Sequence, residues 1–196
     1  FDLSGFSFTD WASSDDIFVH GTSGNDTMTG TIEADSITGY AGDDVLNGAD
    51  GIDTIHGNEG NDTIDGGAGN DTIWGDVGAD SLFGGAGADQ FHFNADNSDV
   101  ASGEEIDGGA DTDTLYIVDS NKTTDFTNVS SIDNIEILDL AGSSSTAKFT
   151  GSILNGKSWA IDGSSSYVNL EVQADGSSFD LSGFSFTDWA SSDDIF

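Results

Sequence analysis

The residues best suited to chemistry in this chain are aspartates that recur at every ninth position of its first half. They are Asp26, Asp35, Asp44, Asp53, Asp62, Asp71, Asp80 and Asp89. Carboxylates are preferred ligands of hard divalent cations, and Ca²⁺ accepts several oxygen ligands in flexible geometry. A general acid–base pair needs only two carboxylates, whereas this spacing is regular throughout. The aspartates therefore predict a series of similar cation sites.

The elements that must position these aspartates are eight contiguous nine-residue units, from Gly21 to His92, of the form G-x-x-G-x-D-x-U-x. The apolar residues U at position 8 are Met28, Ile37, Leu46, Ile55, Ile64, Ile73, Leu82 and Phe91. The first six residues of a unit favour a tight turn, because Gly, Asn and Asp tolerate positive φ. The last three favour a short strand with its middle side chain inward. Two units then form one coil of about eighteen residues, and stacked coils place the aspartates in two columns.

Each column of carboxylates would repel itself. At the roughly 4.8 Å between neighbouring strands, the repulsion is about 1 kcal/mol per adjacent pair in water and several times more in a poorer dielectric. One apolar side chain per nine residues provides little hydrophobic burial to offset this repulsion. A cation bound by carboxylates and backbone carbonyls would neutralise the columns and order the turns, and Ca²⁺ suits such a site better than Mg²⁺.

The units resemble the repeats-in-toxin (RTX) nonapeptide, G-G-x-G-x-D-x-U-x, which forms a Ca²⁺-binding parallel β-solenoid. The resemblance covers Gly21–His92 and a solitary unit at Gly108–Tyr116. It implies an all-β fold with a right-handed parallel β-roll, in which each ion is ligated by position-6 carboxylates of two same-side turns and by loop carbonyls. About six interior ions are implied, with room for more at the roll ends. The implied pairs are Asp26–Asp44, Asp44–Asp62, Asp62–Asp80, Asp35–Asp53, Asp53–Asp71 and Asp71–Asp89. The implied carbonyls lie around Gly21, Gly24, Gly39, Gly42, Gly48, Gly51, Gly57, Gly60, Gly66, Gly69, Gly75, Gly78, Gly84 and Gly87.

Three departures from the family pattern affect this site map. Glu33 replaces the position-4 glycine of the second unit, which makes the Asp35–Asp53 site doubtful. In the solitary unit Asp111 replaces the same glycine, so Asp113 is expected to be a weaker ligand without a same-side neighbour in sequence. Position 2 is Gly only at Gly67 and Gly85, a change that the family tolerates better.

Composition agrees with bound cations and argues against several other partners. The chain of 196 residues has 37 acidic residues, three lysines and a net charge of −34. This charge disfavours nucleic acid and anionic membranes as partners. Cysteine is absent, so metal would take the place of disulfides. We also expect no membrane insertion, since no apolar run approaches twenty residues, and no signal peptide is recognisable at residue 1.

Residues 1–18 and 179–196 are identical, at an offset of 178 residues. This identity favours one period of a tandem array, in which 1–20 ends or caps one segment and 179–196 begins the next copy. The alternative is a cap duplicated artificially for solubility. Asp15 and Asp16 could hold an end-site ion, although a solvated turn is the simpler interpretation.

Between the roll and the second copy, residues 93–107 are polar and are expected to be an exit loop. Its acidic residues, Asp96, Asp99, Glu104 and Glu105, could hold a terminal ion or simply be solvated. Residues 108–178 are expected to be an irregular β region, either a solenoid continuing the roll or a small sandwich. Candidate strands are Leu115–Val118, Ile135–Leu140, Lys148–Leu154, Ser158–Ile161, Val168–Ala174 and Phe179–Phe186, with a helical turn near Val129–Asn134.

No catalytic motif accompanies these features, and we expect the chain not to be an enzyme. His20, His56 and His92 occur at unit boundaries and have no zinc-protease spacing. The expected function is that of a calcium-binding structural repeat of a long secreted or cell-surface protein such as an adhesin, surface layer or filament. Adjacent copies would be its end-to-end partners. The alternative is the Ca²⁺-dependent folding and secretion module of an RTX enzyme or toxin. An ice-binding face is disfavoured, because position 3 shows no regular ladder.

Overall fold

A computed structural model of the chain describes residues 17–94, 99–118, 122–141, 145–163, 168–176, 180–187 and 194–195. Most of the duplicated terminal segments, including Asp15 and Asp16, and the loop residue Asp96 therefore lie outside the described residues. The described chain is built of short β-strands with one four-residue helix, α1 (Gly151–Leu154). Among these residues no helix has the length and apolarity needed to cross a membrane.

The strands of the roll follow one another at intervals of about nine residues. They are β1 (Ile17–His20), β2 (Thr27–Thr29), β3 (Asp35–Ala41), β4 (Val45–Asp50), β5 (Thr54–Glu59), β6 (Thr63–Ala68), β7 (Thr72–Val77), β8 (Ser81–Ala86) and β9 (Gln90–Phe93). Most of them have six residues rather than the three expected from the sequence. They are longer because pairing between coils continues past the position-1 glycine into positions 2 and 3 of the next unit, as in Ala49↔Gly67.

The second half of the chain continues this series of strands. They are β10 (Glu105–Ala110), β11 (Thr114–Ile117), β12 (Thr123–Asp125), β13 (Ser131–Asp133), β14 (Ile137–Leu140), β15 (Thr146–Thr150), β16 (Ala160–Asp162), β17 (Asn169–Gln173), β18 (Ser185–Thr187) and β19 (Asp194–Ile195). Strands β10 and β12 were not expected. Three local predictions were wrong: the turn near Val129–Asn134 contains β13, the second half of Lys148–Leu154 is α1, and in Phe179–Phe186 a turn at Ser182 and Gly183 precedes β18.

All described strand pairs are parallel, and they form three sheets. One sheet has the order β1-β3-β5-β7-β9-β11-β14-β16-β18, the second β2-β4-β6-β8-β10-β13, and the third β12-β15-β17-β19. The predicted all-β parallel roll is thus confirmed. The sandwich alternative for residues 108–178 was wrong, because β11, β14, β16 and β18 extend a sheet of the roll itself.

The third sheet lies in the second half of the chain, where the coils are longer than in the roll. Residues that stack on one another are 18 apart in the roll, as for Asp44 and Asp62, but 24 apart for Asp89 and Asp113. The expected exit loop, 93–107, is where this lengthening begins. It starts with the last residue of β9 and ends inside β10, which pairs with β8. Pairing between successive coils therefore continues on both sides of the undescribed residues 95–98, through β8 with β10 and β9 with β11.

The core is a single apolar stack along the axis of the coils. Every position-8 side chain of the eight units is at most 2 % exposed. Beyond the roll the stack continues through Ile106, Leu115, Leu138 and Ile161. Beside it Phe93, Phe126, Phe149, Trp159 and Phe184 form a continuous series of ring contacts with centroids 4.9–6.0 Å apart. Inward residues at two-residue intervals explain the alternation of burial along each strand.

Candidate metal centre

The position-6 aspartates form two columns, one on each side of the roll. Within a column, one carboxylate oxygen of each aspartate accepts a hydrogen bond from the backbone N–H of the aspartate one coil earlier. These bonds join Asp26 to Asp44, Asp35 to Asp53, Asp44 to Asp62, Asp53 to Asp71, Asp62 to Asp80 and Asp71 to Asp89, at 2.7–2.8 Å. The six same-side pairs implied by the sequence are thus neighbours in the fold.

The second carboxylate oxygen of most of these aspartates is buried without a hydrogen-bond partner. This holds for Oδ2 of Asp44, Asp53, Asp62, Asp71, Asp80, Asp89 and Asp113, residues that are each at most 1 % exposed. An unsatisfied buried carboxylate oxygen is costly, and a bound cation is one of the few groups that can satisfy it. The columns therefore present a row of open oxygen ligands.

Burial also raises the pKa values of these carboxyls. Desolvation, augmented by neighbouring carboxylates, raises the pKa of Asp53 to about 8 and that of Asp80 to about 7. The same causes raise the pKa of Asp62, Asp89 and Asp113 to about 6. Folding without a counter-ion therefore favours protonated carboxyls, and a divalent cation can replace those protons.

The glycines of the turns let backbone oxygens approach these carboxylates. A Cβ added to Gly66 would lie 2.6 Å from Asp71 Oδ2 and 2.7 Å from the carbonyl oxygen of Gly84, one coil later. The same convergence of a position-6 carboxylate and a position-1 carbonyl occurs beside Gly21, Gly30, Gly39, Gly48, Gly57 and Gly84. Carboxylate and carbonyl oxygens thus meet at a point that only a glycine leaves open. Such an all-oxygen set suits Ca²⁺.

The position-4 glycines are required by both conformation and packing. Gly42, Gly51, Gly60, Gly69, Gly78 and Gly87 have φ between +118° and +158°. A Cβ on Gly60 or Gly69 would overlap the carbonyl oxygen of the position-4 glycine one coil earlier. The position-4 carbonyls predicted as ligands therefore point along the axis toward the next turn. Among the described residues no group of three or more His, Cys, Asp or Glu forms a metal cluster.

The first turn on each side differs from the later ones. Asp26 Oδ2 accepts hydrogen bonds from the backbone N–H and hydroxyl of Thr22, at 2.6 and 2.9 Å. Asp35 Oδ2 has the same contacts with Thr31, at 2.6 and 3.1 Å. Glu33 occupies position 4 of this second turn, and its backbone N–H donates to the Thr31 hydroxyl. A cation at either first turn would compete with the threonine for the carboxylate.

Asp113 is a full member of the second column. The backbone N–H of Asp89 donates to Asp113 Oδ1 at 2.8 Å, so Asp113 has a same-side neighbour in the fold although it has none at the repeat spacing in the sequence. The longer coil hides this relation in the sequence, because it places the two residues 24 apart. The column then continues to Glu136, whose Oε2 accepts from the Asp113 N–H at 2.9 Å.

Sequence reasoning named Glu104 as one possible ligand of a terminal ion, but it placed neither Glu104 nor Glu136 in the columns. Each one precedes a strand whose second residue, Leu138 or Ile106, is buried in the apolar stack. The pattern acidic-x-apolar is that of positions 6 to 8 of a unit. This pattern could have revealed both residues. It is hard to recognise because Glu replaces the usual Asp and the glycines do not occupy positions 1 and 4.

The histidines lie on the outer face of the roll, where His56 Nδ1 contacts Asp76 and His92 Nε2 contacts Gln90 rather than a position-6 aspartate. His56, Trp74, His92 and Tyr116 stack in sequence with ring centroids 4.2–4.6 Å apart. The remaining histidine, His20, contacts Phe18 and Tyr40. These positions agree with structural strand residues and give no support for a transition-metal site.

Comparison with known families agrees with this geometry. A family model described as RTX calcium-binding nonapeptide repeat matches residues 20–55, 47–82, 56–91 and 69–99. No curated protein matches the chain. Repeats of this family bind Ca²⁺ in general and are typically found in extracellular proteins. The segment 20–99, which contains both aspartate columns up to Asp89, is therefore similar to RTX calcium-binding nonapeptide repeats.

Proposed function

We propose that this chain is a calcium-binding structural repeat module of a long secreted or cell-surface protein, which folds and stiffens when it meets Ca²⁺ outside the cell. The observation that carries this proposal is the row of buried, unpartnered carboxylate oxygens in the two columns. A module that leaves so many anionic oxygens unsatisfied needs a counter-charge in order to fold.

In this proposal the position-6 aspartates, including Asp113, hold the ions together with the turn carbonyls. Each ion is shared by two successive coils, so Ca²⁺ fastens one coil to the next. The chain itself has only three lysines. Lys148 pairs with Asp125 and Glu171, and Lys157 pairs with Asp133, none of which is a column carboxylate. Calcium is therefore the natural neutralising partner.

The switch follows from linkage between metal binding and folding. Extracellular calcium modules typically bind at roughly 10⁻⁴–10⁻³ M, so the roll would remain unfolded in a cytosol poor in Ca²⁺ and could thread a secretion channel. Outside the cell, binding would drive folding, because the complete site exists only in the folded state. The exposed charge of the unfolded chain would also keep it soluble before export.

The duplicated segment supports an array of copies rather than a single secretion module. Ile17 belongs to β1, which pairs with the later strand β3, whereas its duplicate Ile195 belongs to β19, which pairs with the earlier strand β17. In an array one strand could make both pairings. The four-stranded sheet of one copy would then continue as the nine-stranded sheet of the next. A secretion module of an enzyme or toxin would not require this duplication.

A calcium titration followed by far-UV circular dichroism tests the folding switch. We expect little β signal in excess chelator near neutral pH and a cooperative gain as free Ca²⁺ reaches millimolar concentration. A native-like β signal in chelator would contradict the proposal.

The array is tested separately with a protein of two fused copies that share one 18-residue junction. If the sheets are continuous across the junction, this protein should unfold at a higher temperature than a single copy.

A further inference from the structure

The first carboxylate column does not end at Asp80, the last aspartate of that side within the nonapeptide units. Ser81 pairs with Glu105 and Leu82 with Ile106, so Glu104 stacks on Asp80 one coil later. The backbone N–H of Asp80 donates to Glu104 Oε2 at 3.2 Å. This is the contact that each aspartate of the column makes with its successor. Glu104 therefore occupies a position 6 that lies outside the recognisable units.

Glu104 is completely buried, and its other carboxylate oxygen, Oε1, has no hydrogen-bond partner. Across the same step, Asp80 is also completely buried, and its Oδ2 is unpartnered as well. Two adjacent acidic side chains thus each direct one open oxygen into the protein. Such a pair is stable only when a cation or a proton balances it.

A third acidic residue increases the negative charge at this step. Asp99 lies five residues before Glu104, where the regular units have their position-1 glycine, and it is 4 % exposed. One of its oxygens accepts a hydrogen bond from the Asn94 N–H at 2.8 Å. Its negative charge is one of the causes that raise the pKa values of Asp80 and Glu104. The local charge therefore favours a divalent cation over a monovalent one.

We propose that Asp80 and Glu104 form one further Ca²⁺ site, which closes the first column beyond the last nonapeptide unit. The site uses the same kind of ligands as the roll: one carboxylate from each of two successive coils, with backbone oxygens completing the set. It would fasten the regular eighteen-residue coils to the first of the longer coils. This inference rests on the calcium binding proposed for the roll.

The matched variants are Glu104→Gln and Glu105→Gln in the full chain. They remove the same charge from adjacent residues, but Glu105 is exposed whereas Glu104 is buried. Calcium stoichiometry is measured by equilibrium dialysis at saturating Ca²⁺, with circular dichroism to verify folding. We expect Glu104→Gln to bind one ion fewer than the parent chain and Glu105→Gln to bind the same number. Equal stoichiometry for both variants would overturn the site and would identify Glu104 as a buried neutral acid.

A second variant covers the case in which Glu104→Gln does not fold. Glu104→Asp keeps the charge and shortens the side chain, so it should retain the full stoichiometry with at least a tenfold weaker last binding step. An unchanged binding isotherm for Glu104→Asp would overturn the site. The proposed function fails by a different result, namely a parent chain that folds in chelator and binds no calcium.

Discussion

The adjacent residues Asp43 and Asp44 offer the sharpest test of the columns. Asp44 is buried, accepts from the Asp26 N–H through Oδ1, and leaves Oδ2 open. Asp43 is exposed, and its Oδ1 accepts from the Asn61 N–H at 2.9 Å. The equivalent residues one coil earlier and one coil later are Asn25 and Asn61. Their side-chain amide oxygens accept the same kind of hydrogen bond, from the N–H of Asp43 and of Ala79. Asp→Asn at either position removes one negative charge and preserves the shape, but only Asp44→Asn changes a proposed ligand.

The expected magnitude follows from the number of proposed ion sites to which Asp44 belongs. It lies between Asp26 and Asp62, and so belongs to two proposed sites. An ion present at ten times its dissociation constant stabilises the fold by about 1.4 kcal/mol, and two such ions by about 3 kcal/mol. Asp44→Asn should lower the free energy of unfolding in Ca²⁺ by up to that amount. Asp43→Asn should stay within about 0.5 kcal/mol of the parent.

Chemical denaturation at about 10 mM free Ca²⁺, roughly ten times a 10⁻³ M dissociation constant, measures both variants, and circular dichroism in chelator separates ion binding from packing. In chelator, where the parent is expected to show little β signal, Asp44→Asn should show no less of it, because a neutral amide avoids the cost of burying a charge that raises the pKa of Asp44. Equal calcium dependence for Asp43→Asn and Asp44→Asn would refute the assignment of the column as ligands.

Three further predictions concern position within the column, the turns and pH. Asp62→Ala should shift the Ca²⁺ midpoint more than Asp26→Ala, because Asp62 lies between two column neighbours and Asp26 has only one; equal midpoints in a circular dichroism titration would contradict the site map. Gly69→Ala should cost at least about 3 kcal/mol in denaturant unfolding, since its φ is +138° and the new Cβ would overlap a carbonyl. Gly24→Ala, with nothing within 4 Å, is the control and should be nearly neutral. In chelator the β signal should be stronger at pH 5 than at pH 9. The raised pKa of Asp53, about 8, means that the folded chain binds more protons and loses stability as pH rises through that value. A signal that increases with pH would exclude this linkage.

The roll and the pairing within the columns could be predicted from the sequence because each coil has one fixed length there. With Gly, Asp and an apolar residue in phase, same-side neighbours are found by counting two units. The Asp44–Asp62 pair is an example. The physical basis is that each nine-residue unit has only one inward apolar side chain, so any slip of register would bury the wrong residue.

Beyond residue 93 same-side neighbours can no longer be found by counting residues, although the coils still stack on one another. A coil only has to return to the same place above its predecessor, and its turns can lengthen without disturbing the pairing of Ile106 with Leu82 or Leu138 with Leu115. The sequence therefore concealed the ladder positions of Glu104, Asp113 and Glu136. The third sheet was equally hidden, because β12 reads TTD with Thr124 buried, and Lys122 rather than an aspartate stands two residues before Thr124.

The parallel stacking of coils has a mechanical consequence. Within the roll each interior strand is hydrogen-bonded only to the strands one coil before and one coil after it, so force applied along the axis would detach coils one after another from an end. Each detached coil of 18 residues would lengthen the chain by roughly 60 Å. A tether made of such modules would stretch in small, reversible steps, and the calcium concentration around it would set the force at which each step occurs.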